Sequence, residues 1–139
     1  DLHSFPTRRS SDLRLKAGGV LLLRHASAPG FGDPADFRID DCSTQRNLSE
    51  AGRQQAVAIG AWLRARGISR ARVYSSQWCR CLETAELLEV GSVAELAALN
   101  SFYELTQTRE PNLKALRKFF AGQPSDGELI ILVTHFVTI

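Results

Sequence analysis

Two short apolar runs in the chain each end at a histidine. The first run, 20–23, leads into Arg24 and His25, and the second, 129–134, leads into His135. Neither run alternates with polar residues, so both predict strands that are buried on two faces of a parallel sheet. The carboxyl ends of parallel strands meet at one edge of a sheet, where α/β proteins bind ligands. We therefore expect the two histidines to converge although they are far apart in sequence.

Between these strands, the hydrophobic spacing predicts three helices and a further strand. One helix is expected over 50–66, where Ser49 suits the N-cap and apolar residues recur every three or four positions. A strand at 73–75 is followed by a helix over 77–88, and a third helix starts at Pro111. Strands that alternate with helices indicate an α/β fold built from βαβ units, with a mainly parallel sheet.

Three stretches lack a single clear pattern. Residues 26–47 form a long polar connection, of a kind that often has a function in a compact domain. Residues 92–99 fit either a strand or a helical turn. Residues 1–13 combine Pro, Ser and Arg without an apolar face, which favours a disordered or non-native leader before a domain spanning 14–139.

Composition restricts the classes of function. The chain has 139 residues and a net charge of +2, which gives no indication of nucleic acid binding. No apolar run approaches the ~20 residues that a membrane span needs. Three cysteines, Cys42, Cys79 and Cys81, exclude full pairing within one chain. One disulfide with one thiol and a fully reduced protein are both compatible with that number.

The residues at the predicted sheet edge are suited to binding phosphate. Arg24 adjoins His25, and Arg80 is expected in the first turn of the helix after the second strand, with Thr84 one turn further on. A helix N-terminus favours anions, and the guanidinium group of arginine matches phosphate oxygens in pairs. Two arginines together with His25 and His135 therefore predict a pocket for a phosphate dianion.

A histidine flanked by arginines can act as a nucleophile at phosphorus. We expect His25 to attack in line while His135 donates to the phosphoryl oxygens as charge builds on them. The leaving alkoxide needs an acid, for which Glu104 is preferred over Asp33 and Glu110. No metal or other cofactor is expected, because no H-x-x-x-H spacing supports a zinc site.

At this point the sequence resembles the histidine phosphatase superfamily, also called the phosphoglycerate mutase-like family. The Arg-His-Gly signature of the family appears at 24–26 as RHA, and its second histidine motif matches 133–135 (VTH). Two longer blocks match in the family's order, at 48–56 (LSEAGRQQA) and at 73–85 (VYSSQWCRCLETA). Ala26 stands where the family usually has Gly, which a negative φ would tolerate.

The resemblance implies a three-layer α/β/α sandwich with a mainly parallel central sheet. It also implies a phosphohistidine intermediate on His25, in a pocket formed by Arg24, Arg80 and His135, with a carboxylate as proton donor. The implied activity is hydrolysis of a phosphomonoester, either a phosphorylated small molecule or a phosphoprotein. Phosphomutase activity and a phosphate-binding or regulatory module without turnover are the alternatives. The resemblance leaves the natural substrate and the oligomeric state open.

The resemblance also implies that the chain is a fragment whose fold is incomplete at the C-terminus. The sequence is similar to that of a subgroup of small enzymes in this family, some of which are exported. By that analogy Cys42 pairs with Cys79 or with Cys81, which would suit a periplasmic rather than a cytoplasmic location.

Overall fold

Four parallel strands form the central sheet of this computed structural model, which describes residues 18–102, 106–123 and 127–135. The strands are β1 (Gly19–Arg24), β2 (Arg72–Ser75), β3 (Val93–Glu95) and β4 (Leu129–Thr134). Their order in the sheet is β1-β4-β2-β3, and all three pairings are parallel. The predicted parallel sheet is confirmed, and the predicted leader, 1–13, lies outside the described residues.

Three helices cover the two faces of this sheet. They are α1 (Glu50–Ala65), α2 (Cys79–Leu88) and α3 (Arg109–Ala121). On one face the helices α1 and α2 share a core with the sheet, which includes Leu63, Ala85, Leu88, Val73, Ile131 and Val133. On the other face Leu116 and Phe119 of α3 pack against a core that contains Leu99, Ile130 and Leu132. The three-layer α/β/α arrangement is therefore confirmed.

The helix starts follow from local hydrogen bonding. Ser49 caps α1, since its Oγ accepts from the N–H of Gly52 at 3.0 Å. The helix α3 begins at Arg109, earlier than predicted, and Pro111 is its third residue. The first four N–H groups of a helix have no partner within it, so proline is tolerated there as well as at the first position.

The helix α2 begins at Cys79, later than the predicted residue 77. The N–H groups of Gln77 and Trp78 donate to the side-chain oxygens of Asn100 at 2.8 Å and Ser76 at 3.2 Å. Because these bonds hold the backbone outside the helix, the connection after β2 is longer than the apolar spacing suggests.

The ambiguous segment 92–99 contains both of the expected structures. It forms the short strand Val93–Glu95 and then a 3-10 turn, Ala97–Leu99. No helix within the described ranges is long and apolar enough to cross a membrane.

The prediction that β1 is buried on both faces is wrong. Val20 and Leu22 are 48% and 47% exposed, whereas every residue of β4 is buried. The reason is position: β1 is an edge strand of the described sheet, and α3 packs on Ile130 and Leu132 of its neighbour. An apolar run does not reveal whether a strand is central or at the edge.

Candidate active site

The two strand-terminal histidines lie side by side at the carboxyl edge of the sheet. The N–H of His25 donates to the carbonyl of Thr134 at 3.0 Å, and the N–H of Ser76 donates to the carbonyl of Val133 at 3.0 Å. These bonds continue the pairing of β4 with β1 and with β2 past the ends of those two strands. The ring centroids of His25 and His135 are consequently 5.6 Å apart, with an interplanar angle of 70°.

The ring of His25 has a defined tautomer. Its Nδ1 lies 2.8 Å from the carbonyl oxygen of Ala26. A carbonyl oxygen only accepts, so Nδ1 carries the proton and Nε2 keeps its lone pair. Burial, aided by the charges of Arg80, Arg24 and Arg46, lowers the pKa of His25 to about 4 against the opposing effect of the bond to Ala26. The ring is thus neutral near pH 7, with an unprotonated Nε2.

The backbone that follows this histidine is held by the start of α1. The N–H of Ser27 donates to Gln55 Oε1 at 3.0 Å, and the Ser27 carbonyl accepts from the N–H of Ser49 at 3.1 Å. A Cβ atom built on Gly52 would lie 2.1 Å from that carbonyl oxygen, so only glycine allows the approach. The segment 48–56 therefore positions the turn that follows His25.

Ala26 is compatible with this turn. Among the described non-glycine residues only Glu89 has a positive φ, so Ala26 adopts a backbone conformation that any residue tolerates. The Ala26 N–H donates to Thr84 Oγ1 at 3.0 Å, and that hydroxyl donates to the Arg80 carbonyl at 2.7 Å. Thr84 thereby links the turn after His25 to the first turn of α2.

Arg80 is buried as the second residue of α2, with only 3% of its surface exposed. Its Nη1 donates to Oδ1 of Asp33 at 2.9 Å. The Arg46 N–H donates to the same oxygen at 3.1 Å, and Trp78 Nε1 donates to Oδ2 of Asp33 at 3.0 Å. The buried Nε of Arg80 has no hydrogen-bond partner within the described part of the chain. This donor is therefore available to an anion.

Asp33 is unsuited to the role of proton donor. Burial acts to raise the pKa of its carboxyl group, but hydrogen bonds from Arg80, Arg46 and Trp78 hold that pKa below its ordinary value. Asp33 is therefore ionised and pairs with Arg80. Glu110 lies exposed in the first turn of α3, and Glu104 lies outside the described residues.

Arg46 is a pocket residue that the sequence pattern does not single out. Its Nε donates to the Gly32 carbonyl at 2.7 Å, and its Nη1 donates to the Ala28 carbonyl. Its charge contributes to lowering the pKa of both His25 and His135. The residue lies in an irregular connection without hydrophobic periodicity, where only long-range contacts reveal a role.

His135 is also held as a neutral ring. Burial, followed by the charges of Arg80 and His25, lowers its pKa to about 3. Its Nε2 lies 2.8 Å from Ser76 Oγ, and the ring meets Trp78 edge to face at 5.3 Å between centroids. Ser76 and Trp78 thus belong to the pocket wall.

A disulfide ties the long polar connection to the start of α2. Of the two pairings that the resemblance implies, the structure contains Cys42–Cys79. The Cys79 N–H donates to Gln45 Oε1 at 2.8 Å, and Phe37 stacks on Trp78 with centroids 5.0 Å apart. These contacts hold the connection beside Arg80.

Cys81 is a buried free thiol. Its Sγ lies 3.5 Å from Nε2 of His135, and burial raises the pKa of the thiol to about 12. A thiol with that pKa has little nucleophilic thiolate near neutral pH. Among the described residues, no three His, Cys, Asp or Glu side chains are placed to hold a metal ion.

The parallel sheet, the neighbouring histidines and the buried arginine define an α/β protein with a positively charged site at the carboxyl edge of its sheet. The family model for the histidine phosphatase superfamily (branch 1) matches residues 20–106, well over half of the chain. The chain therefore belongs to the histidine phosphatase superfamily, branch 1. His135 lies beyond the matched segment, so its place in the pocket rests on the geometry at the end of β4.

Solved structures share this fold. A candidate phosphohistidine phosphatase SixA from Nakamurella multipartitia is 24% identical with a TM-score of 0.62, over 86% of this chain and 60% of that one. Its counterpart from Agrobacterium tumefaciens is 23% identical with a TM-score of 0.62, over 86% and 70% of the two chains. A phosphoglycerate mutase from Plasmodium falciparum is 16% identical with a TM-score of 0.57, over 86% and 62%.

At sequence identities this low, the similarity to these structures shows a shared fold and no more. The chain spans about 60% of the length of the first of these proteins. No curated protein sequence matches the chain.

The disulfide should contribute strongly to stability. The bond joins residues 37 positions apart, so we expect Cys42→Ser to lower the free energy of unfolding by about 3–4 kcal/mol, which chemical denaturation with and without reductant will measure. Cys81→Ala keeps the disulfide, so reduction should lower the free energy of unfolding of this variant as much as it does in the wild type. Protein isolated without reductant should show one free thiol and reduced protein three. Three free thiols before reduction would contradict the pairing.

Proposed function

We propose that the protein is a phosphomonoesterase that transfers the phosphoryl group of its substrate first to His25 and then to water. The observation that carries this proposal is the hydrogen bond from Nδ1 of His25 to the Ala26 carbonyl at 2.8 Å. That bond keeps the lone pair on Nε2, at the edge of the sheet near Arg24, Arg46 and Arg80.

The charge of the pocket supports a dianionic substrate. Arg24, Arg46 and Arg80 all lie near enough to His25 to lower its pKa, and Asp33 is the carboxylate paired with Arg80. The described residues whose charges lower the pKa of His25 are thus three arginines, and their positive charge favours a doubly charged anion. A phosphate monoester dianion matches that charge, and guanidinium groups bind its oxygens by charge-assisted hydrogen bonds.

The first chemical step is an in-line displacement at phosphorus. The lone pair of His25 Nε2 forms the N–P bond while the bond from phosphorus to the ester oxygen breaks, and the electron pair leaves with the alkoxide. The arginines stabilise the charge on the three non-bridging oxygens in the transition state. The alkoxide takes its proton from an acid.

The second step returns the enzyme to its starting state. A water molecule attacks the phosphohistidine, the N–P bond breaks, and the electron pair returns to Nε2. The carboxylate that gave its proton in the first step accepts one from the water, and inorganic phosphate leaves.

Glu104 is our proposed acid and base. Asp33 is ionised and occupied by Arg80, Arg46 and Trp78. Those contacts suit it to holding the arginine rather than to giving up a proton. We therefore prefer Glu104 as the proton donor to Asp33, because Asp33 is ionised, and to Glu110, because of the position of Glu104 in the sequence.

The substrate class and the location are proposals that the comparisons support only by analogy. The SixA proteins are named for phosphohistidine, which favours a phosphoprotein, and the mutase is named for a phosphorylated small molecule. The Cys42–Cys79 disulfide supports an oxidising compartment such as the bacterial periplasm. The thiol count described above, made on protein trapped at lysis, tests that location.

The phosphoenzyme provides the direct test of the mechanism. Wild-type protein should hydrolyse p-nitrophenyl phosphate and, after a rapid quench, show acid-labile phosphate on His25. His25→Asn should lose the phosphoenzyme and at least about 10³-fold of the rate, because it removes the nucleophile. Phosphate binding without turnover or phosphoenzyme would favour the binding module. Transfer of the phosphoryl group to a second substrate rather than to water would favour the mutase.

Leaving groups of different basicity should identify the proton donor. Glu104→Gln should lose about 10²–10⁴-fold of the rate with an alkyl phosphate, whose alkoxide needs a proton, and little with p-nitrophenyl phosphate. Steady-state kinetics with both substrates measure the difference. Glu110→Gln is the matched control and should change neither rate. Equal losses with the two substrates in Glu104→Gln would count against Glu104 as the acid.

A further inference from the structure

A short chain of hydrogen bonds leads away from His135. Nε2 of His135 lies 2.8 Å from Ser76 Oγ, which lies 3.1 Å from Oδ1 of Asn100. Oδ1 of Asn100 also accepts from the backbone N–H of Gln77 at 2.8 Å, and Nδ2 of Asn100 donates to the Gln77 side-chain oxygen at 2.9 Å. Ser76 follows β2 directly, and Asn100 follows the 3-10 turn after β3.

The direction of each bond in this chain follows from the Gln77 end. A backbone N–H can only donate, so the Asn100 atom that faces it must be the carbonyl oxygen of the amide. The bond from Nδ2 to the Gln77 side chain agrees with that orientation. An amide oxygen cannot donate, and the hydroxyl of Ser76 must therefore supply the hydrogen between Ser76 and Asn100.

Ser76 then determines the proton position on His135. A hydroxyl group has a single hydrogen, and in Ser76 this hydrogen is used on Asn100. The oxygen accepts from the Trp78 N–H at 3.2 Å, and it can only accept from His135 as well. The proton of the neutral ring consequently lies on Nε2. His25, whose Nδ1 faces a carbonyl, has the opposite tautomer.

We propose that Ser76 and Asn100 are positioning residues that fix His135 as its Nε2–H tautomer, so that Nδ1 is the ring atom that takes up a proton from water when a phosphoryl dianion binds and donates it to a phosphoryl oxygen. The functional part of this inference rests on the proposed phosphatase reaction, whereas the tautomer does not. Without the chain, the imidazole ring of His135 would exchange between two tautomers, and only one of them would suit a given phosphoryl oxygen.

The structure separates this role from simple packing. Ser76 and His135 are buried, and the hydroxyl of Ser76 is bonded on three sides. The bond from Asn100 Nδ2 to the Gln77 side chain only anchors the loop, since it touches neither Ser76 nor His135. Asn100→Asp removes that anchor and keeps an acceptor oxygen for Ser76, whereas Asn100→Ala removes both.

Nitrogen NMR of the full chain with ¹⁵N-labelled histidine reads the tautomer directly. His135→Asn assigns the signals, because it deletes one pair of ring nitrogens. In ligand-free wild type and in Asn100→Asp, His135 should show a protonated Nε2 and an unprotonated Nδ1 at neutral pH. Ser76→Ala and Asn100→Ala should show exchange between the two tautomers. An Nδ1–H ring in wild type, or an unchanged ring in Ser76→Ala, would overturn the proposal.

Kinetics on the same variants test the functional part. Ser76→Ala and Asn100→Ala should lower kcat for p-nitrophenyl phosphate by about 10–100-fold, with Asn100→Asp close to wild type. A uniform loss in all three variants would indicate a structural role and overturn the proposal. The tautomer signal needs no turnover, so a wild type with Nε2–H but no phosphatase activity would refute the proposed function and leave the assignment of His135 in place. Thermal unfolding confirms that each variant is folded.

Discussion

The parallel pairing of β4 with both β1 and β2 is the constraint on which the site depends. His135 follows β4, His25 follows β1 and Ser76 follows β2, so the register of two ladders sets every distance between them. A shift by one residue would turn each side chain to the opposite face of the sheet. Every side chain of β4 is buried, which fixes that register strongly. The burial of β4 in the apolar core therefore also sets the positions of the site residues.

The same edge of the sheet concentrates positive charge beside rings that stay neutral. A buried guanidinium without a partner is strongly unfavourable, and Asp33 provides that partner for Arg80. The long polar connection brings Asp33 and Arg46 to the pocket, and the Cys42–Cys79 disulfide ties that connection to α2. Burial and the arginine charges oppose protonation of His25 and His135, so both rings stay neutral near pH 7.

Sequence predicted the parts of this arrangement that depend on local periodicity. The parallel sheet, the ends of β1 and β4 and the place of Arg80 follow from apolar spacing and from the rule that parallel strands share a carboxyl edge. The exposure of β1 does not, since it depends on the order of strands. Arg46 and Asn100 lie in irregular segments whose partners are 14 and 24 residues away. Only the folded chain brings such pairs together.

An NMR titration of His25 in the ligand-free protein tests the central claim most directly. The proposed nucleophilic role of His25 requires a neutral ring with its proton on Nδ1 and a lone pair on Nε2. The structure predicts that nitrogen signals of His25 keep this pattern down to acidic pH and titrate with a pKa of about 4. A pKa at or above the ordinary 6.5, or a ring with its proton on Nε2, would contradict the account.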